Sequence, residues 1–82
     1  MNTEEVKQRL TNILSILLGK RLSPEDDVSM EYENLWDSIK HIEIISTIEE
    51  EFNISFDIGD IPKLTSLHKI MKKILEKNGQ TI

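Results

Sequence analysis

Apolar residues recur at intervals of three and four in three separate stretches of this chain. The stretches cover residues 3–18, residues 38–52 and residues from about 66 to 77. This spacing places the apolar side chains on one face of a helix. No segment alternates as a half-buried strand does, and 82 residues accommodate one domain. We therefore expect a single all-α domain over residues 1–82, built as a four-helix bundle of three main helices and one short helix.

Residues typical of helix ends set the expected limits of these helices. Thr3, which is followed by two glutamates, is expected to cap the first helix, and Gly19 to end it. Thr65 or Ser66 is expected to cap the last helix. The pair Asn78-Gly79 is expected to end that helix.

Two segments between the helices lack a clear period. Gly59 and Pro62 limit any helix within residues 53–64 to one or two turns. Residues 19–37 are too many for an unstructured connection in a compact domain, and Ser23-Pro24 is typical of a capped turn. We interpret residues 19–37 as a long ordered loop held to the core by apolar anchors: Leu22, Val28, Met30, Tyr32, Leu35 and Trp36.

The second helix separates an apolar face from an acidic one. In helical projection the apolar arc holds Ile42, Ile44, Ile45, Ile48 and Phe52. His41 falls inside this arc, whereas Ile39 lies on the polar side with Glu43 and Glu50. We expect the core between the helices to include Leu14, Ile45, Phe52 and Ile74.

Acidic residues are concentrated in the middle of the chain. Residues 25–60 hold twelve acidic residues and one basic residue, Lys40, while the whole chain carries a net charge of −5. Such a field repels nucleic acid and anionic lipid and attracts basic protein surfaces. We therefore expect protein partners and no nucleic-acid partner, although a solvated acidic surface would have the same composition.

Several classes of function and location are disfavoured by what the sequence lacks. The chain has no cysteine, so any thioester chemistry would need a thiol from outside. No metal site is expected, because the acidic loop lacks the ligand spacing of a calcium-binding hand. The longest apolar stretch, residues 13–18, is too short to span a membrane, and the acidic start is unlike a targeting peptide. A small cytoplasmic protein that is not an enzyme is the resulting expectation.

The junction between the long loop and the second helix carries the strongest functional signal. If Asp37 is the N-cap, Ser38 is the first helical residue and its hydroxyl is free. Trp36 and His41 then occupy the two positions of a hydrophobic staple. A helix start favours a phosphate group, so a phosphate ester on Ser38 would be well placed. The alternative is that Asp37 and Ser38 are merely a capping pair.

The residues that follow extend this signal to a family. Asp37-Ser38-Ile39 begins the resemblance, which continues through Ile42, Glu43, Ile45, Ile48, Glu49, Glu50, Glu51 and Phe52. This pattern resembles the helix that starts at the modified serine of acyl carrier proteins. The resemblance covers nearly the whole chain and is specific from Leu35 to Ile74.

The resemblance implies a carrier of covalent 4′-phosphopantetheine, attached from coenzyme A to Ser38 by a phosphopantetheinyl transferase. The cofactor would hold acyl or aminoacyl groups as thioesters, which a monomeric carrier presents to loading and transferring enzymes. By position, Asp37 and His41 are the candidate neighbours of the cofactor. The candidate contacts for basic partners are Ile39, Glu43, Glu49 and Glu50.

The sequence departs from the usual motif of the family in two places. Leu35-Trp36-Asp37-Ser38 lacks the glycine of the family's Leu-Gly-x-Asp-Ser, and Lys40 replaces an acid that is usual in housekeeping carriers. The Trp-Asp-Ser-Ile-x-His pattern is similar to that of specialised carriers. It implies a role in a lipid, envelope, polyketide or nonribosomal pathway instead of general fatty acid biosynthesis.

Two other functions stay open at this point. The chain could be an unmodified acidic adaptor that binds basic proteins, or a small hydrolase built on Ser38 and His41. For His41 we expect either a packing role, bonded to a loop carbonyl or stacked on Trp36, or a polar lining beside the cofactor. His68 is expected at the surface, in the first turn of the last helix.

Overall fold

Three α-helices form the protein in a computed structural model that describes residues 2–77. Helix α1 spans Thr3–Leu18, α2 spans Ser38–Phe52 and α3 spans Leu67–Lys77. Between α2 and α3 lies a single 3₁₀ turn, Ile61–Lys63. Within residues 2–77 there is no strand, only an isolated bridge between Ser29 and Ser66.

The all-α class is therefore confirmed, and the three main helices fall where the periodicity predicts them. The expected short helix is a single 3₁₀ turn, with Pro62 in the first-turn position that proline tolerates. The four-helix bundle stays a prediction. The expected end of α3 at Asn78-Gly79 lies outside the described residues.

Helix α1 is the element against which the other two helices pack. Its buried apolar residues are spaced every four positions: Val6, Leu10, Leu14 and Leu18. The N-cap is Asn2 and not Thr3, since the Asn2 side chain accepts a hydrogen bond from the N–H of Glu5 at 2.8 Å. Gly19 ends the helix at φ 66°, a left-handed conformation that favours glycine.

Helix α2 turns its apolar face toward α1. The predicted core is confirmed, because Leu14, Ile45, Phe52 and Ile74 are all buried. Ile42, expected in the same apolar arc, is instead 66% exposed. It lies at the edge of that arc, where it borders an open cavity and no helix covers it.

The segment between α1 and α2 contains turns but no helix, and backbone contacts join it to the start of α3. The N–H of Met30 donates to the carbonyl of Thr65, and the N–H of Leu67 to the carbonyl of Val28, both at 2.8 Å. The N–H of Lys69 donates to the Ser66 hydroxyl, which makes Ser66 the cap of α3.

Only some of the predicted anchors of this segment are buried. Val28 and Trp36 are buried and Leu22 and Met30 pack partly against the core, whereas Tyr32 and Leu35 are exposed. The expectation for Tyr32 and Leu35 was wrong. Tyr32 lies in a turn closed by a hydrogen bond to the carbonyl of Ser29, and Trp36 fills the core position next to Leu35.

Candidate functional site

The start of α2 is built as the sequence predicts. Asp37 is the N-cap, and its carboxylate accepts a hydrogen bond from the N–H of Lys40 at 2.8 Å. Its carbonyl accepts the N–H of His41, also at 2.8 Å. Ser38 is the first residue of the helix. The cap is thus complete without the serine hydroxyl.

Ser38 is exposed, and no residue within 2–77 forms a hydrogen bond with its hydroxyl. The first N–H groups of any helix lack partners within the helix and carry its partial positive charge. A phosphate ester on this oxygen would therefore lie beside a favourable electrostatic end of α2.

His41 connects three segments around this helix start. The indole Nε1–H of Trp36 donates to His41 Nδ1 at 3.0 Å, and the two rings stack with centroids 6.0 Å apart. His41 Nε2 lies 2.8 Å from the carbonyl oxygen of Ile61. Because a carbonyl can only accept, the hydrogen of the neutral ring is on Nε2. Both ring nitrogens have partners, so neither is left to accept a proton from Ser38.

An apolar cavity opens between the start of α2 and the 3₁₀ turn. Its volume is about 340 Å³, and its lining consists of Met30, Ser38, His41, Ile42, Ile61 and Pro62. His41 therefore packs against Trp36 and a loop carbonyl and also lines the space beside Ser38. The packing role expected of this histidine is confirmed, and a role beside a cofactor stays a prediction.

The four candidate docking residues do not form one group. Ile39 is 82% exposed, and Glu43 and Glu50 are also exposed. Glu43 forms an ion pair with Lys40 at 2.8 Å. Glu49 is only partly exposed, and its carboxylate accepts the N–H of Phe56 at 2.7 Å.

The position of Glu49 was a signal available in the sequence. In helical projection it falls between Ile45 and Ile42, on the apolar side of α2. The structure accordingly places its carboxylate on the loop after α2 and not on the strip that holds Ile39, Glu43 and Glu50.

An ion pair joins the residue before the 3₁₀ turn to α3. Lys73 Nζ lies 3.3 Å from the carboxylates of both Asp60 and Glu76. Hydrogen bonds to Glu76 and Asp60 raise the pKa of Lys73 above its ordinary value. These contacts hold the residue before Ile61, and so one wall of the cavity, against α3.

Neither a metal centre nor a membrane-crossing helix is present in the described part of the chain. Among residues 2–77, no group of three or more histidine, aspartate or glutamate side chains is placed to hold a metal ion. None of the helices in this range combines the length and apolar character that a membrane crossing requires. His68 is exposed in the first turn of α3, as predicted.

The sequence matches no protein-family model, and no curated protein matches it. The function is therefore inferred from the residues at the start of α2 and from their geometry.

Proposed function

We propose that this chain is a carrier protein whose Ser38 bears 4′-phosphopantetheine. The observation that carries the proposal is the serine itself: an exposed hydroxyl on the first residue of a helix that Asp37 already caps. The hydroxyl is free to form a phosphodiester, and the helix start favours the resulting negative charge. The apolar cavity that begins at Ser38 offers room beside the attachment point.

The chemistry of such a carrier is divided between the protein and the cofactor. In the modification, Ser38 Oγ would form a bond to the pantetheine-side phosphorus of coenzyme A, the bond from that phosphorus to the bridging oxygen would break, adenosine 3′,5′-bisphosphate would leave, and the hydroxyl proton would pass to the transferase. When bound, the cofactor supplies the thiol that this cysteine-free chain lacks, and the thiol holds an acyl or aminoacyl group. The protein fixes the attachment point and lines the space beside it.

The exposed strip of Ile39, Glu43 and Glu50 is the proposed contact surface for the transferase and for the loading and transferring enzymes. The two acids attract a basic partner over a distance, and the isoleucine offers apolar area at contact. Glu49 is left out of this surface, because its carboxylate is already bonded to the N–H of Phe56.

The finer aspects of the proposal rest on the sequence pattern. Trp36-Asp37-Ser38 and His41 favour a specialised lipid, envelope or secondary-metabolite pathway over general fatty acid synthesis. A four-helix bundle, a monomeric state and a cytoplasmic location stay predictions.

An unmodified adaptor is the second candidate, favoured by the exposed Ile39 beside acidic residues. A hydrolase built on Ser38 and His41 is disfavoured, because both ring nitrogens of His41 are engaged by other groups.

Intact mass after incubation with coenzyme A and a broad-specificity phosphopantetheinyl transferase tests the proposal. We expect the wild-type chain to gain the mass of one 4′-phosphopantetheine group, called the arm below, and Ser38→Ala to gain none. Ser46→Ala is the matched control, because Ser46 is another exposed serine on α2, and it should be modified as the wild type is. A wild-type chain that gains no arm, while a known carrier in the same reaction does, would support the adaptor. Turnover of an activated ester without coenzyme A would support the hydrolase.

A further inference from the structure

The His41 side chain joins the end of the long loop, the start of α2 and the 3₁₀ turn. It is 7% exposed, with Trp36 on one ring nitrogen and the Ile61 carbonyl on the other. It is also in the wall of the cavity that begins at Ser38. The ring thus links Trp36, two residues before Ser38, to the carbonyl of Ile61 in the 3₁₀ turn.

Only one protonation state of the ring allows both bonds. Nδ1 must be an acceptor for the Trp36 indole N–H, and Nε2 must be a donor to the Ile61 carbonyl. A protonated imidazole carries hydrogen on both nitrogens, so its Nδ1–H would face the indole N–H. Protonation therefore removes the bond to Trp36 and places a charge in a buried, largely apolar position.

No carboxylate within residues 2–77 forms a hydrogen bond or an ion pair with the ring, whose partners are Trp36 and the Ile61 carbonyl. The other residues that line the cavity, Met30, Ser38, Ile42, Ile61 and Pro62, are uncharged. On the adjoining segments, Glu33 pairs with Lys20, Asp37 accepts from the N–H of Lys40, and Asp60 pairs with Lys73. Lys40 itself pairs with Glu43. The remaining charged residues that flank the ring in sequence, Arg21, Glu31, Asp57 and Lys63, are exposed.

We infer that His41 is a pH-sensitive positioning residue for the attachment site: when neutral it accepts the indole N–H of Trp36 and holds it beside the start of α2, and its protonation removes that bond and releases Trp36, while Nε2–H still donates to the Ile61 carbonyl. The consequence for Ser38, a slower modification at low pH, rests on the proposed function. The release itself does not depend on it, since it follows from the hydrogen bonds of the unmodified chain.

The first experiment follows the release directly. Trp36 is the only tryptophan of the chain, so its emission maximum and its quenching by acrylamide report on its burial. When the pH is lowered from about 8 to about 5, we expect the emission to shift to longer wavelength and the quenching to increase. Helical circular dichroism should be retained over that range.

Two variants assign the effect to His41. Glutamine offers one acceptor and one donor at similar spacing and does not titrate, so His41→Gln should keep Trp36 buried at every pH. The control is His68→Gln, because His68 is the only other histidine and is exposed; it should behave as the wild type does. A wild type without the shift, or a His41→Gln variant with the full shift, would overturn the inference.

The second experiment connects the release to Ser38. Arm transfer is measured across the same pH range, and each rate is divided by the rate of the same variant at about pH 8. The normalised rate of the wild type, divided by that of His41→Gln, should fall at least about fivefold at the acidic end. The pH dependence of the transferase itself cancels in this ratio. Before normalisation, the transfer rate of His41→Leu, which lacks both bonds, should be low at every pH. The rate of His41→Gln should be close to that of the wild type at the alkaline end.

The outcomes separate the two proposals. If neither the wild type nor any variant gains an arm, the carrier function is refuted. The fluorescence of Trp36 still shows whether protonation of His41 releases the tryptophan. If arms are attached with a ratio that does not change with pH, the positioning role is overturned and the carrier function stands.

Discussion

Removing the Glu49 carboxylate should destabilise the protein, whereas removing the neighbouring Glu50 carboxylate should not. Both residues are acids near the end of α2, and composition alone makes them equivalent. The structure distinguishes them, because Glu49 accepts the N–H of Phe56 at 2.7 Å, while Glu50 is exposed. The Glu49 backbone carbonyl also accepts the N–H of Ile54 at 3.0 Å, so Glu49 organises the turn after the helix.

The magnitude follows from the type of bond that is lost. A hydrogen bond to a charged group contributes about 1.5–3 kcal/mol, and an unsatisfied buried donor costs about 1–3 kcal/mol. Phe56 is 6% exposed, so its N–H has little access to water once the carboxylate is gone. We expect Glu49→Ala to lower the free energy of unfolding by about 2 kcal/mol. Glu49→Gln, which keeps an acceptor but not the charge, should lower it by about half as much.

Urea denaturation followed by circular dichroism is a suitable assay, because a small domain of this kind unfolds in one step. Glu50→Ala is the matched control and should change the free energy by no more than about 0.5 kcal/mol. Equal midpoints for Glu49→Ala and Glu50→Ala would refute the structural role of Glu49. Glu49 would then again be a candidate contact for basic partners.

Three further outcomes are expected. Glu43→Lys combined with Glu50→Lys should slow arm transfer strongly at low salt and little at high salt, because salt screens exposed charges. Ile39→Ala should slow arm transfer at both salt concentrations. If the double variant transfers the arm at the wild-type rate at low ionic strength, the strip is not the docking surface. Phe52→Ala should lower the free energy of unfolding by roughly 3 kcal/mol or more in urea denaturation, since the ring is buried and Arg9 lies over it. The pKa of Lys73 is higher in the folded protein than the ordinary lysine pKa of about 10.4. Its ion pairs therefore stabilise the folded state fully below about pH 10.4, and this stabilisation is lost as the pH rises through the pKa of Lys73 in the folded protein. The stability difference between wild type and Lys73→Met should thus be constant from neutral pH to about pH 9 and shrink above about pH 10.4, which thermal unfolding across pH would measure.

The helices could be predicted because apolar period is a local property of the sequence. Most of the buried positions of α1 and α2 follow from spacing alone, and so does the exposure of Ile39, whereas the burial of Thr11 does not. The Asp37 cap is equally local, since it depends on residues 37–40. Because Ser38 directly follows this cap, local pattern is also sufficient to indicate it as the candidate attachment serine.

Contacts between distant segments could not be predicted in the same way. Whether Tyr32 or Trp36 enters the core depends on turns and on bonds to residues near position 65, which have no period to indicate them. The partner of His41 Nε2 lies twenty positions away, in the 3₁₀ turn. A loop carbonyl was among the partners expected for this histidine, but no local pattern identifies Ile61.

The first residues of α2 separate the proposed docking surface from the cavity. Consecutive helical residues are rotated by about 100°, so Ser38 and Ile39 project in clearly different directions. Ile39 is on the exposed strip with Glu43 and Glu50, while Ser38, His41 and Ile42 line the cavity. A partner bound to the strip would therefore approach the Ser38 oxygen from the face of α2 that carries Ile39, and it would leave the cavity uncovered. On the proposed function, changes to the strip should alter the binding of partners, and changes to His41 should alter the surroundings of a group attached to Ser38.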